Sequence, residues 1–122
     1  MRALVVDDDS IVLASCRRVL EPAGWSVATA ANVPEALAAL EREPFTLVLA
    51  DLKMPVYDGL HLLAEVRRRW PTLPVIVMSG YSTGDTEEQS RQRGALAFVP
   101  KPFTPEELLA AVGRTAGQAG GG

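Results

Sequence analysis

Asp51 ends the apolar run Thr46-Leu47-Val48-Leu49-Ala50, where a carboxylate is costly to bury unless it has a use. A second apolar run, Ala3-Leu4-Val5-Val6, stops in the same way at Asp7-Asp8-Asp9. A third ends at Ser79, and a fourth leads into Lys101-Pro102. Clustered carboxylates repel and raise one another's pKa unless a cation joins them. Oxygen ligands at a solvent-open edge suit a hard ion that keeps several waters, Mg²⁺ or Mn²⁺. Such an ion would bridge Asp51 to an incoming phosphoryl group and neutralise charge during transfer. Lys101 would bring a second positive charge to the phosphoryl oxygens, and Ser79 a hydrogen bond. An aspartate that attacks phosphorus forms an acyl phosphate. Simpler roles exist for single members: Asp9 or Ser10 as a helix cap, Ser79 as a turn residue, Lys101 as a solvated cation. Pro102 restricts the backbone of Lys101 and makes a cis peptide accessible there.

Short, continuously apolar runs at Ala3–Val6, Trp25–Ala30, Leu47–Ala50, Val75–Met78 and Ala95–Val99 predict strands buried on both faces, as in a parallel sheet. Helical periods lie between them. The first helix carries Val12, Cys16, Val19 and Leu20 and ends at Pro22-Ala23-Gly24. The second opens on Asn32 with Glu35 three residues on, a capping-box pattern, and turns Ala36, Leu37 and Leu40 inward. The third follows Asp58-Gly59, buries Leu62, Leu63 and Val66, and stops at Trp70-Pro71; Arg67, Arg68 and Arg69 suit its carboxyl end as solvated cations. A fourth, near Thr83–Arg93, is almost wholly polar and predicts weak packing. The fifth starts at Thr104-Pro105-Glu106-Glu107 and turns Leu108, Leu109 and Val112 inward. Five strands alternating with five helices predict an α/β three-layer αβα sandwich. Right-handed crossovers put every strand's carboxyl end on one edge, which gathers Asp7, Asp8, Asp51, Ser79 and Lys101 where such folds bind ligands.

The 122 residues suit one domain, with residues 1–116 folded and residues 117–122 a glycine-rich tail or the start of a linker. A net charge of −3 gives no reason to expect direct nucleic-acid binding. A single cysteine, Cys16, excludes a disulfide framework, and its helical spacing makes it a core residue. Four apolar residues before Asp7 are too few for a signal peptide or a membrane span, so the expectation is a cytoplasmic domain without a membrane partner, beginning near Met1. His61 reads as a solvated helical residue, and Trp25 and Trp70 as packing residues away from the strand edge.

The chain resembles a bacterial two-component response-regulator receiver domain. The matching motifs are Leu4-Val5-Val6-Asp7-Asp8-Asp9, Leu49-Ala50-Asp51-Leu52-Lys53-Met54-Pro55, Asp58-Gly59, Val77-Met78-Ser79-Gly80 and Val99-Pro100-Lys101-Pro102-Phe103. The resemblance implies a flavodoxin-like five-stranded parallel sheet of order 2-1-3-4-5. It implies that Asp51 is the phosphoacceptor, charged by a sensor histidine kinase or phosphotransfer protein, with Ser79 and Lys101 holding the phosphoryl oxygens. Asp8 and Asp51 would ligate Mg²⁺, or Mn²⁺, directly, Asp7 through water, and Lys53 through its backbone carbonyl. Ser79 and Phe98 would form the switch. The fourth helix, fifth strand and fifth helix would present the output surface to a downstream protein, an output domain, or a second phosphorylated copy. Phe98 lacks the hydroxyl of the tyrosine frequent at that position, which predicts a switch driven by apolar packing. Lys53 and Tyr81 flank the path of the hydrolytic water, and neither suits its orientation, which predicts slow self-dephosphorylation. The chain would be a phosphoprotein switch of a phosphorelay, catalysing only its own phosphoryl transfer and loss.

Two rivals remain at this level. A receiver-like interaction module that never sees phosphate would have no need of the full acid and lysine set. A phosphohydrolase with an aspartyl-phosphate intermediate would place its nucleophile after the first strand; Asp7-Asp8-Asp9-Ser10 fits that poorly and leaves Asp51 without a role.

Overall fold

The computed structural model describes residues 1–54, 58–80 and 84–121. Five parallel strands, β1 (Arg2–Val6), β2 (Ser26–Ala30), β3 (Leu47–Asp51), β4 (Val75–Ser79) and β5 (Ala97–Pro100), form one sheet in the order β2-β1-β3-β4-β5. Five helices connect or follow them: α1 (Ser10–Leu20), α2 (Val33–Arg42), α3 (Gly59–Arg69), α4 (Gly84–Gln92) and α5 (Pro105–Gly121). The parallel register pairs Val6 with Ala50 and Asp51 with Met78, so the carboxyl ends of β1, β3 and β4 lie side by side.

Strand alternation divides the apolar residues between two cores. Leu4, Val6, Val48, Ala50, Val75 and Val77 pack with Val33, Ala36 and Leu40 of α2 and with Leu62, Leu63 and Val66 of α3. Ala3, Val5, Leu47, Leu49, Ile76 and Met78 pack with Cys16 and Leu20 of α1 and with Leu108 and Val112 of α5. Both faces of β1, β3 and β4 are therefore covered, as their unbroken apolar runs require.

The run Trp25–Ala30 behaves differently from the expectation of a strand buried on both faces. Trp25 is buried but precedes β2, and Ser26 and Thr29 are exposed. The reason is position: β2 is an outer strand with a single neighbour, so the helical layers cover it incompletely. At the other outer strand, Ala95 and Leu96 fall in the turn before β5. Helix α5 continues through Gly121, past Arg114 where the sequence pattern ends it; Leu108, Ala111 and Val112 in its first half are buried.

Capping is specified locally. Asp9 caps α1 by accepting from the Ile11 N–H at 2.9 Å, and Asp58 caps α3 by accepting from His61 at 2.9 Å. Asn32 accepts from the Glu35 N–H at 2.9 Å, while Glu35 turns back to the Ala31 N–H. Thr104 and Glu107 form a reciprocal capping box, at 3.1 and 2.9 Å. After α1 a short 3₁₀ turn, Glu21–Ala23, ends at Gly24 with φ +101°, a conformation that favours glycine. The basic end of α3 is not uniformly solvated. Arg68 is exposed, but Arg67 and Arg69 are half-buried, Arg67 against Gly94 and Arg69 over the Trp70 ring while paired with Glu41.

One glycine fixes the approach of α3 to the site. The Gly59 N–H donates to the Leu52 carbonyl at 2.8 Å, and a Cβ on Gly59 would lie 2.3 Å from the Asp51 carbonyl oxygen. Gly113, inside α5, has nothing within 4 Å of where a Cβ would stand. Gly59→Ala should therefore destabilise the fold by about 1–3 kcal/mol through forced displacement of backbone. Gly113→Ala should stabilise it by about 0.5–1 kcal/mol through helix propensity. Urea denaturation of the two variants checks both signs, and equal effects would remove the close approach as the cause.

Candidate functional site

Three carboxylates meet at the carboxyl edge of the sheet because β1 and β3 are neighbours in register. Asp7 follows β1 and is fully buried; Asp51 closes β3 at 6% exposure; Asp8 is exposed. One oxygen of each lies within 4.8 Å of the others, close enough to share a cation. All three donors are hard oxygens and one carboxylate reaches solvent, so the set fits a divalent ion such as Mg²⁺.

Lys101 enters this cluster from beyond β5. Its backbone N–H donates to the Ser79 carbonyl at 2.7 Å, which holds the chain against the end of β4, and a cis Lys101-Pro102 peptide follows. Its ammonium reaches Asp7 Oδ2 at 2.7 Å and Asp51 Oδ1 at 3.0 Å. The second oxygen of Asp7 accepts from the Asp9 N–H at 2.9 Å, so both its oxygens are engaged. Asp51 differs: among the described residues its Oδ2 has no hydrogen-bond donor, which leaves lone pairs available at the edge.

The electrostatics follow from burial and charge. Burial raises the Asp51 pKa above the usual aspartate value; the Lys101 hydrogen bond opposes this, and the charges of Asp7 and Asp8 reinforce it. For Lys101 burial pulls the pKa down, but the hydrogen bonds to Asp7 and Asp51 outweigh it and the net shift is upward. The ammonium therefore stays charged at neutral pH, and the carboxylates keep a negative excess that a further cation can relieve.

Ser79 closes β4 beside Asp51 and is almost fully buried. Phe98 lies in β5 opposite Val77, half-buried against the core beneath α2 and α3. Lys53 is exposed on the loop after β3. Tyr81 lies outside the described residues. The edge thus brings together Asp7, Asp8, Asp51, Ser79 and Lys101, while Phe98 sits one layer below it on the opposite outer strand from β2. His61 is exposed on α3 and Trp25 is buried in the α1 and α5 core, both away from the acid cluster. Cys16 is buried, its thiol pushed up to about 11 by desolvation, which suits a packing residue.

Two contributors escaped recognition from the residue types. Gly59 supports the backbone of Asp51 itself, and its place in the Asp58-Gly59 pair after a short loop was the available signal. Asp7, expected to act on a cation through water, is also the closest carboxylate to Lys101, a pairing across 94 residues that no local pattern announces.

Residues 3–113 match the family described as response regulator receiver domain. Among curated relatives, the alginate biosynthesis transcriptional regulatory protein AlgB of Pseudomonas aeruginosa is 38% identical over 113 residues, covering 93% of this chain and 25% of that protein. The DNA-binding transcriptional regulator NtrC of Salmonella typhimurium is 42% identical over 110 residues, covering 90% and 24%. The chain thus spans about a quarter of the length of these relatives. A CheY-like receiver domain protein from Methanospirillum hungatei superposes with a TM-score of 0.91 at 35% identity, covering 99% of this chain and 98% of the other. The receiver domain of NtrX from Brucella abortus gives 0.89 at 33% identity, covering 93% and 96%. Motif order, sheet topology and likeness of the whole backbone agree, and the chain belongs to the response regulator receiver domain family.

Proposed function

We propose that this chain is a phosphorylation switch in which Asp51 takes a phosphoryl group from the phosphohistidine of a sensor histidine kinase or phosphotransfer protein. The observation that carries this is the unequal state of the two Asp51 oxygens: Lys101 holds Oδ1 at 3.0 Å, while no donor among the described residues reaches Oδ2. Oδ2 forms the new bond to phosphorus as the phosphorus–nitrogen bond of the donor breaks, and the imidazole departs with that electron pair. Asp8 and Asp51 would hold Mg²⁺ or Mn²⁺ directly, Asp7 through water, and Lys53 through its carbonyl. The ion, when bound, supplies positive charge that offsets the carboxylates and the phosphoryl oxygens. Lys101, bonded to Asp7 and Asp51 Oδ1, would turn from Oδ1 to a phosphoryl oxygen while keeping Asp7, and Ser79 would donate to another.

In this reading phosphorylation draws Ser79 toward the acyl phosphate, Phe98 turns inward by apolar packing, and the surface of α4, β5 and α5 changes. Its receiver would be a downstream protein, an output domain or a second copy of the chain. Likeness to AlgB and NtrC, named as transcriptional regulators, supports an output that controls transcription. The chain then performs only its own phosphoryl transfer and loss. Lys53 and Tyr81 supply no carboxylate or amide to orient water, so the acyl phosphate should be long-lived, with Tyr81 shielding it.

Incubation with acetyl phosphate and Mg²⁺, followed by mass spectrometry, should give one phosphoryl adduct on the wild type and none on Asp51→Asn. An adduct that survives Asp51→Asn, or fails to form on the wild type, sinks the assignment. Tyr81→Ala should shorten the lifetime of that adduct; an unchanged decay rate removes the shielding role.

A second test uses stability in metal-free buffer. The pKa of Asp51 is higher in the folded state than in the unfolded chain, so its ionisation weakens folding. The penalty is absent below the ordinary aspartate value of about 4 and fully present once pH exceeds the raised folded value. Asp51→Asn should therefore melt higher than wild type near pH 7, with the gain fading as the pH falls toward 4. A constant difference across that range would show that ionisation of Asp51 is not its source.

A further inference from the structure

On the edge of the sheet opposite Asp51, the segments that enter β3, β4 and β5 border a cleft of about 1120 Å³. Leu40, Phe45, Trp70 and Leu73 give it an apolar wall. The cleft has one unusual member, Arg67. Its stem lies against Gly94, where φ is +102° and a Cβ would come within 2.7 Å of Arg67 Cδ, so both residues are matched to this contact. Arg67 Nη1 donates to the Pro71 carbonyl at 3.1 Å. Nε and Nη2 are buried without a hydrogen-bond partner among the described residues. Those two nitrogens form the side-on edge of a guanidinium, whose parallel N–H groups match the two oxygens of a carboxylate. The nearby acids are already engaged, Glu41 with Arg69 and Glu43 with Arg2.

We propose that this cleft binds a small organic acid, its carboxylate taken by Arg67 through Nε and Nη2 and its apolar or aromatic body by the Phe45, Trp70 and Leu73 wall. The volume lies just above the ~300–1,000 Å³ of small-molecule pockets, and beside the apolar wall the lining carries Glu41, Arg42, Glu43, Arg67 and Arg69, of which Glu41, Glu43 and Arg69 are held in ion pairs. Nε and Nη2 are buried, so binding requires the guanidinium to turn this edge out toward the cleft, exchanging unpaired burial for a bidentate pair. A lysine at this position would keep the charge and lose the fork. Occupancy would press on the Gly94–Leu96 turn, which joins α4 to β5, so the cleft is also placed to bias that helix. None of this depends on phosphorylation of Asp51.

Titration of the unphosphorylated, ¹⁵N-labelled chain with phenylacetate, followed by two-dimensional NMR, tests the site. Saturable shifts should appear at the amides of Thr46, Leu73, Gly94 and Ala95. Phenylacetamide, which has the same body without the charge, should bind at least about tenfold more weakly, equivalent to about 1.4 kcal/mol. Arg67→Lys, which preserves the stem over Gly94, should also weaken phenylacetate about tenfold, whereas Arg18→Gln on the exposed side of α1, outside the cleft lining, should bind as wild type. Absence of saturable shifts, equal binding of acid and amide by the wild type, or unchanged affinity in Arg67→Lys would each overturn the proposal. The acid and amide comparison stands even where a variant folds poorly.

Discussion

The bridge from Lys101 to Asp7 and Asp51 is the interaction on which the site depends. It joins the ends of three strands with one ammonium: Asp7 after β1, Asp51 at the end of β3, and Lys101 just past β5. Two nearly buried carboxylates at this spacing would be mutually repulsive and poorly solvated without it. Breaking a buried pair by removal of one partner typically costs about 3–5 kcal/mol, because the other charge is left behind. Yet Lys101 carries one charge against three acids, so the pair is stable while the edge stays electronegative. That imbalance leaves an acid cluster that could hold a further cation.

Precision at Asp51 comes from what lies behind it. Leu52 donates to the Met78 carbonyl at 2.8 Å and Gly59 donates to the Leu52 carbonyl at 2.8 Å, so the backbone on the carboxyl side of Asp51 is held by β4 and by α3. The approach of α3 is set by the absence of a side chain at Gly59. A carboxylate carried on the last residue of a fully buried strand, with a helix pressed onto its carbonyl, has little freedom to relax away from a neighbouring charge. Rigid support of this kind is how a fold keeps an unfavourable ionisation in place for use.

Most of this was legible in the sequence because the buried strands have no polar residue until their ends. Asp7, Asp51 and Ser79 each terminate an apolar run, and parallel topology then requires them to share an edge. Cap pairs such as Asn32 with Glu35 and Thr104 with Glu107 are local and equally readable. What escaped is non-local. The outer position of β2 decides that Ser26 and Thr29 are exposed, and nothing within Trp25–Ala30 encodes that position. Gly59 is required by a backbone that arrives from β3, and Arg67 by a turn that arrives after α4. For Arg67 a signal did exist: it stands four residues after Leu63, on the inward period of α3, and its charge masked that spacing.

Helix α4 shows how unevenly the fold distributes its stabilisation. Gly84–Gln92 contains no apolar residue, and among its described side chains only Ser90 is buried. Ser90 spends its hydroxyl on the Thr86 carbonyl, 2.9 Å away within the same helix. Two further contacts are internal as well: Arg91 pairs with Glu87 at 2.7 Å, and Gln92 donates to Glu88 at 3.2 Å. Such exposed pairs contribute about 0.2–0.5 kcal/mol each, and a helix this short is marginal in water on its own. By contrast α2 buries Val33, Ala36 and Leu40 against the sheet, where a large apolar side chain contributes about 1.5–3 kcal/mol. Displacing α2 would expose those side chains, whereas α4 has no apolar side chain of its own to expose. Helix α4, which packs against β5, is therefore the helix least firmly held by its own side chains. A polar helix in a position where its neighbours are amphipathic thus adds little apolar burial of its own to the fold.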